Sequence, residues 1–155
     1  LSLMLENSQI KSDMTDIQNE AIETAKKNAL FHNITQGANF IKSDIFENVN
    51  KKYDIIVSNP PYIPLKDKET LQIEVKNFDS PTALFAKDEY GIEFYEKIIT
   101  NAKKYLKEKN YIAFEIGINQ SKKVSNILLK NGFSNINIIK DYNSIDRIIT
   151  ARIKI

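Results

Sequence analysis

The residues best suited to chemistry stand together at Ser58-Asn59-Pro60-Pro61-Tyr62, directly after the apolar run Ile55-Ile56-Val57. That run reads as a strand buried on both faces. Two prolines cannot continue a hydrogen-bonded ladder, so Asn59 is expected at the carboxyl end of a central strand, where open α/β sheets place ligands. A residue before a proline is pushed towards extended geometry, which makes the segment stiff. Such a segment suits transfer of a group to a planar nitrogen, whose delocalised lone pair makes it a poor nucleophile. The Asn59 side-chain oxygen and the Pro60 carbonyl are two acceptors that could hold both N–H bonds and turn the lone pair towards an electrophile. Tyr62 offers a flat face for a planar substrate group. No strong base is required before attack, since the proton can leave afterwards; positioning and aligned dipoles supply the rate. The competing reading is an ordinary strand-ending turn.

Hydrophobic spacing predicts the elements that must hold this segment. Helices are expected over 19–33, 91–108 and 120–131, with the end of another over 1–7 and a short one over 67–76 inside a long loop. Strands are expected over 9–16, 39–44, 53–58, 110–116, 133–140 and 146–155, the last two joined as an antiparallel pair. In the helix over 91–108, Phe94, Ile98, Ala102 and Tyr105 share one face; in that over 19–33, Ala21, Ile22, Ala25, Ala29 and Leu30 do. Strands alternating with helices and closing in a hairpin mean an α/β fold, a mostly parallel, doubly wound sheet with an antiparallel edge. Asp16 and Asp44 end two successive strands and Asn59 a third, which sets three polar groups along one rim. An acid after the second strand of a nucleotide-binding unit hydrogen-bonds ribose hydroxyls. Asp44 could accept from an adenine amine, with Ile45 and Phe46 against the ring. Taken singly, each acid also fits a helix cap or turn.

At 155 residues, 42% apolar and 27% charged, the chain is expected to be one soluble globular domain. A net charge of +2 is too small to argue for nucleic acid, and the lysine pairs read as solvated helix faces. The absence of cysteine excludes disulfides and thiol chemistry, and no metal-ligand spacing occurs. His32, the only histidine, reads as a solvated helix-end residue. No apolar run approaches the ~18 residues needed to cross a membrane, so a cytoplasmic protein is expected. Glu115 is a strand-end acid near the rim or a sheet-end hydrogen-bonding group. Asp146-Arg147 is expected to pair within the last hairpin, and Tyr105, Tyr111 and Phe114 to be core.

Taken together, Thr15-Asp16-Ile17, Ser43-Asp44-Ile45-Phe46-Glu47, Ser58-Asn59-Pro60-Pro61-Tyr62, Glu74-Val75, Ala83-Leu84, Gly91, Tyr95, Glu115-Ile116-Gly117, Gln120, Gly132-Phe133 and Asp146-Arg147 follow the order seen in the HemK/PrmC family. The chain resembles that family over nearly its whole length. The resemblance implies a class I, Rossmann-like fold and transfer of a methyl group from S-adenosylmethionine to the side-chain amide of the glutamine in the Gly-Gly-Gln motif of peptide chain release factors. It implies that Asp16 and Ile17 meet the ribose, that Asp44 and Ile45 sit at the adenine, and that Asn59 touches both methyl donor and glutamine. Pro60, Pro61 and Tyr62 would complete the amide pocket. The tetrapeptide is shared with adenine-N6 and guanine-N2 methyltransferases, so a DNA or RNA amino-methyltransferase is the alternative. A non-catalytic fragment that binds a partner through residues 63–78 is a third reading. The implied partner is the release factor, with nucleic acid only in a ribosomal context and no membrane.

The chain departs from the family pattern at several places. The family's first strand and its Asp-x-Gly-x-Gly-x-Gly loop, like its amino-terminal helical domain, are expected upstream of Leu1, so the chain reads as an incomplete catalytic domain. In the expected strand order 3-2-1-4-5-7-6, the first strand lies between those ending at Asp16 and Ser58. Its absence predicts unpaired edges there, a substitute strand or a different order, and weakened cofactor binding. Ala86-Lys87-Asp88-Glu89-Tyr90-Gly91 is one residue longer than the family's Gly-Gly-Glu-Asp-Gly, and Asp79-Ser80 stands where Glu-Pro is usual.

Overall fold

The computed structural model describes residues 1–71 and 80–154. They form two compact units, Leu1–Lys51 and Lys52–Ile155. Glu74, Val75, Asp79 and the later half of the helix expected over 67–76 lie outside the described residues.

The first unit holds helix α1 (Ser2–Glu6), strand β1 (Ser12–Asp16), helix α2 (Asn19–Phe31) and strand β2 (Ala38–Lys42). β1 and β2 pair in parallel, with Asp16 opposite Lys42. A right-handed crossover through α2 is the usual way to join two such strands. Met4, Ile22 and Ala29 make its core, while Leu30, expected inside, is 70% exposed. Leu30 follows Ala29 by about 100° around the helix, which turns it off the buried stripe.

The second unit holds strand β3 (Tyr53–Ser58), the short strand β4 (Ile63–Pro64), a 3-10 turn (Leu65–Thr70), helix α3 (Pro81–Leu84) and the short strand β5 (Phe85–Ala86). Helix α4 (Glu93–Tyr105), strand β6 (Leu106–Glu115), helix α5 (Ser121–Lys130) and strands β7 (Phe133–Lys140) and β8 (Asp146–Ile153) follow. Its main sheet runs β3-β6-β8-β7, with β3 and β6 parallel and β8 antiparallel to both neighbours. β4 and β5 pair in parallel and close the base of the stretch between them. The orders β2-β1 and β3-β6-β8-β7 are those expected from the resemblance, divided where the first strand was expected.

One face of the four-stranded sheet is covered. Ile112, Phe114, Ile149 and Ala151 lie buried on it in register across β6 and β8. Tyr95, Ile98, Ile99 and Ala102 of α4 and Val124 and Leu128 of α5 are buried as well. The two helices touch each other as well as the sheet. Tyr95, not Phe94, is the buried aromatic of α4, and its ring meets Phe114 edge-on at 5.4 Å. The other face is open: Ile55 and Val57 are 49% and 58% exposed, and Tyr111 and Ile148 are exposed beside them. The expectation of β3 as a central strand buried on both faces is therefore corrected. Among the described residues it is an edge strand of this sheet, paired only with β6. Alternation puts Ile55 and Val57 opposite Tyr111 and Ala113 on the open side. Tyr111, expected in the core, lies beneath the Arg152 guanidinium instead. The last hairpin is also corrected: Asp146 pairs with Lys140 and Arg147 with Asp141, not with each other. Neighbours along a strand point to opposite faces, so cross-hairpin partners are the ones within reach.

Candidate active site

In the first unit the two acids stand at the same end of adjacent parallel strands. The Ser43 N–H donates to the Asp16 carbonyl at 2.9 Å, which ties the strand ends together. One Asp16 carboxylate oxygen accepts from the Gln18 N–H at 2.8 Å, the turn that starts α2. Its second oxygen has no hydrogen bond among the described residues, and Ile17 beside it is 53% exposed. Asp44 is exposed, and its carboxylate has no partner among the described residues. Ile45 adopts a left-handed backbone with φ of 50°. A β-branched residue there costs on the order of 1–3 kcal/mol, and such strain gathers at ligand sites. Ser43, only 3% exposed, holds the turn: its hydroxyl donates to the Ile45 carbonyl at 3.2 Å and accepts from the Asn48 N–H at 3.0 Å. Two carboxylates with spare acceptor capacity beside two aliphatic side chains match the hydroxyls, amine and flat face of an adenosine.

In the second unit Asn59 follows β3, whose last residue Ser58 is in register with Phe114. The Asn59 side chain is exposed and takes no hydrogen bond among the described residues, whereas Pro60 is buried and Pro61 and Tyr62 are half-buried. Asn59 thus stands clear of the core on a buried proline footing. The Tyr62 ring lies over Gly117: a Cβ on that glycine would meet Tyr62 Cδ2 at 2.8 Å. The Tyr62 hydroxyl donates to Glu115 Oε1 at 3.4 Å, a long bond. Burial, and then the Glu115 charge, push the Tyr62 phenol above its ordinary value, with Arg147 opposing. The phenol is therefore neutral at neutral pH, a wall of the site and not a base. Tyr95, pushed up chiefly by burial, donates to the Glu115 carbonyl at 2.9 Å and fixes the end of β6 from beneath.

The matching family model is that of the methyltransferase small domain, over residues 1–79, a stretch that runs across the boundary between the units. The chain belongs to the methyltransferase small domain family. Over 98% of its length it is 44% identical to a release factor glutamine methyltransferase of Fusobacterium nucleatum, covering 44% of that protein. Over 96% of its length it is 45% identical to a bifunctional methyltransferase of Rickettsia bellii, covering 27% of it. The chain thus spans less than half the length of these curated relatives. Among solved structures, a methyltransferase from Pyrococcus furiosus superposes with a TM-score of 0.72 at 20% identity, over 99% of this chain and 68% of that one. The fold is the class I, Rossmann-like methyltransferase fold, with a mostly parallel sheet and an antiparallel hairpin.

In this member of the methyltransferase family, the residues that the sequence singles out as site candidates fall in two groups. Asp16, Ile17, Asp44 and Ile45 come together in the first unit, and Asn59, Pro60, Pro61 and Tyr62 in the second. Residues to which the sequence alone assigned no role support both. Ser43 and Gln120 are the buried polar residues among those described. Asp88 accepts from the N–H groups of Tyr90, Ile92 and Glu93 at 3.1, 3.0 and 3.0 Å. Burial alone would raise the Asp88 carboxyl, but these N–H groups hold it below the ordinary carboxylate range. The 86–91 loop thus ends in a carboxylate-centred turn that opens α4. An Asp four to five residues before an amphipathic helix is the signal that could have found it.

Proposed function

We propose that this chain is the catalytic part, 1–155, of a methyltransferase that acts on the side-chain amide of a glutamine in peptide chain release factors. The observation that supports this most is Asn59, an exposed carboxamide without a described partner at the rigid end of β3, inside Asn-Pro-Pro-Tyr. The names of the relatives that match along the whole chain support glutamine as the acceptor.

S-adenosylmethionine, when bound, supplies a methyl group on a sulfonium that is open to displacement. Asp16 and Asp44 would accept hydrogen bonds from its ribose and adenine, and Ile17 and Ile45 would cover the base and sugar. The Asn59 Oδ1 and the Pro60 carbonyl would each accept one N–H of the substrate amide, which turns its lone pair out of conjugation and frees it for an electrophile. Held this way, the amide nitrogen would take up the methyl group that the donor supplies, and would then lose one proton to water. Tyr62, held neutral, walls the pocket without competing for that proton. Geometry carries the rate, since fixing a near-attack arrangement is worth up to about 7–11 kcal/mol.

The test is incubation of the whole methyltransferase of which this chain is the catalytic part with labelled S-adenosylmethionine and either a release factor or oligonucleotides. Label on the glutamine of Gly-Gly-Gln is the expected result. Label on adenine or guanine amines instead would assign the chain to the nucleic-acid enzymes that share Asn-Pro-Pro-Tyr, and label on neither would refute the enzyme reading.

A further inference from the structure

Gln120 sits at the mouth of α5, 6% exposed, and its carboxamide bonds four backbone groups at once. Its Nε2 donates to the carbonyls of Tyr62 at 2.9 Å, Tyr90 at 2.8 Å and Gly91 at 3.2 Å, while its Oε1 accepts from the Gly117 N–H at 2.9 Å. Residue 120 thus ties the end of Asn-Pro-Pro-Tyr to the turn after β6 and to the loop before α4, from 58, 3 and 29–30 residues away. No other common side chain does this. Glutamate has no donor, asparagine is one methylene short, and lysine and arginine have no acceptor for Gly117.

The surroundings are cut to fit this amide. Gly91, at φ of 70°, faces the Tyr62 carbonyl so closely that a Cβ would overlap it, and that Cβ would also lie 2.7 Å from Gln120 Nε2. A Cβ on Gly117 would lie 2.9 Å from Gln120 Oε1. Burying a carboxamide costs free energy unless its groups are satisfied, and a fully satisfied buried polar network specifies one arrangement. Here the arrangement specified is the backbone of Tyr62. The Asn59–Tyr62 segment is then fixed at both ends, by the β3–β6 ladder at Ser58 and by Gln120 at Tyr62.

We infer that Gln120 is the positioning residue of the acceptor pair: by gripping the Tyr62 carbonyl it sets where Asn59 Oδ1 and the Pro60 carbonyl face. It touches neither substrate nor cofactor in this role. The inference rests on the amide-methylation reading of the same segment, and two readouts separate the fates of the two ideas.

The first readout needs no activity. In this 155-residue chain labelled with 13C at tyrosine Cζ, the Tyr62 phenol is expected to titrate above the ordinary tyrosine range, since burial and then the Glu115 charge push it up. In Gln120→Ala, and in the uncharged, similarly long Gln120→Met should the alanine variant not fold, release of the segment moves that titration down towards the ordinary value. The second readout is kinetic. With Gln120→Glu, kcat falls about 10²-fold while KM for S-adenosylmethionine changes less than about threefold. The ratio of variant to wild-type kcat rises as the pH falls, because the introduced carboxyl can donate to the carbonyls only when protonated. A Tyr62 phenol that titrates as in the wild type in either folded variant overturns the inference, whatever the kinetics. A kcat unaffected by Gln120→Glu overturns it too. If the wild-type protein methylates no glutamine, the proposed function falls, and the Tyr62 titration still decides the role of Gln120.

Discussion

Substituting Gly91 by alanine separates two effects that are usually confounded, left-handed backbone strain and collision with a neighbour. Gly91 and Gly132 share nearly the same backbone, with φ of 70° and 76°, and both lie in the second unit. An alanine in that region loses about 1–2 kcal/mol at either position. What the new Cβ meets is different. At Gly132 it meets the ammonium end of Lys103, a flexible chain that can swing into solvent. At Gly91 it overlaps the Tyr62 carbonyl oxygen and sits 2.8 Å from the Tyr62 carbonyl carbon, and neither atom can rotate away. Relief requires the backbone to part there, which pulls the Tyr62 and Gly91 carbonyls off Gln120. Two hydrogen bonds at about 1 kcal/mol each, together with a partly unsatisfied buried amide, add roughly 2–4 kcal/mol. The expected total is about 3–6 kcal/mol for Gly91→Ala against about 1–2 kcal/mol for Gly132→Ala. The chain has no tryptophan, so the assay is guanidinium unfolding followed by far-ultraviolet circular dichroism. Equal losses for the two variants, within about 0.5 kcal/mol, would refute the claim that Gly91 is required by the Tyr62 carbonyl.

Three further outcomes are expected. Asn59→Ala removes an exposed side chain without a described partner, so stability should move by less than about 0.5 kcal/mol while methyl transfer is abolished; a variant that still methylates at near wild-type rate would end the alignment mechanism. Asp88→Asn should cost about 1–2 kcal/mol at neutral pH by weakening the turn that opens α4. The folded Asp88 carboxyl lies below its unfolded value, so it stabilises above the unfolded pKa, and that contribution is lost as the pH falls through the folded one. The wild type should therefore converge on Asp88→Asn below about pH 4 in paired urea titrations, and a constant gap down to about pH 2 would contradict this. Ser43→Ala leaves the Asn48 N–H without its partner and frees Ile45, which should cost about 1–3 kcal/mol and weaken S-adenosylmethionine binding more than any surface substitution on α2; calorimetric titration of both variants checks it.

Much of the framework was legible because it rests on local patterns. The 3.6-residue stripe of α4 and α5 and the apolar runs of β6 and β8 survive as expected elements, with ends displaced by a few residues. The strand orders within each unit are those the family resemblance implies, and the antiparallel pairing of the last two strands was read from their short connection. The errors are of one kind. Phe94 for Tyr95, Leu30 and Tyr111 as core, and β3 as a strand covered on both sides all misjudge which face an element turns inward. Spacing fixes a period, but the phase depends on what is packed against it. Asp146 and Arg147 are neighbours in sequence, whereas a pleated hairpin pairs each across to Lys140 and Asp141.

By itself the sequence determined the chemical vocabulary: a carboxamide stiffened by two prolines and a tyrosine, two strand-end acids with their aliphatic followers, and the alternation that sets a Rossmann-like fold. These depend on covalent identity and on neighbours within a few residues. Only the tertiary structure decided how Tyr62 is held. That clamp joins Gln120 to carbonyls 29, 30 and 58 residues away, and its partners are backbone groups that every residue possesses. Side-chain identity cannot announce a bond whose other half is the common peptide unit; only the closing of the chain upon itself brings it into being.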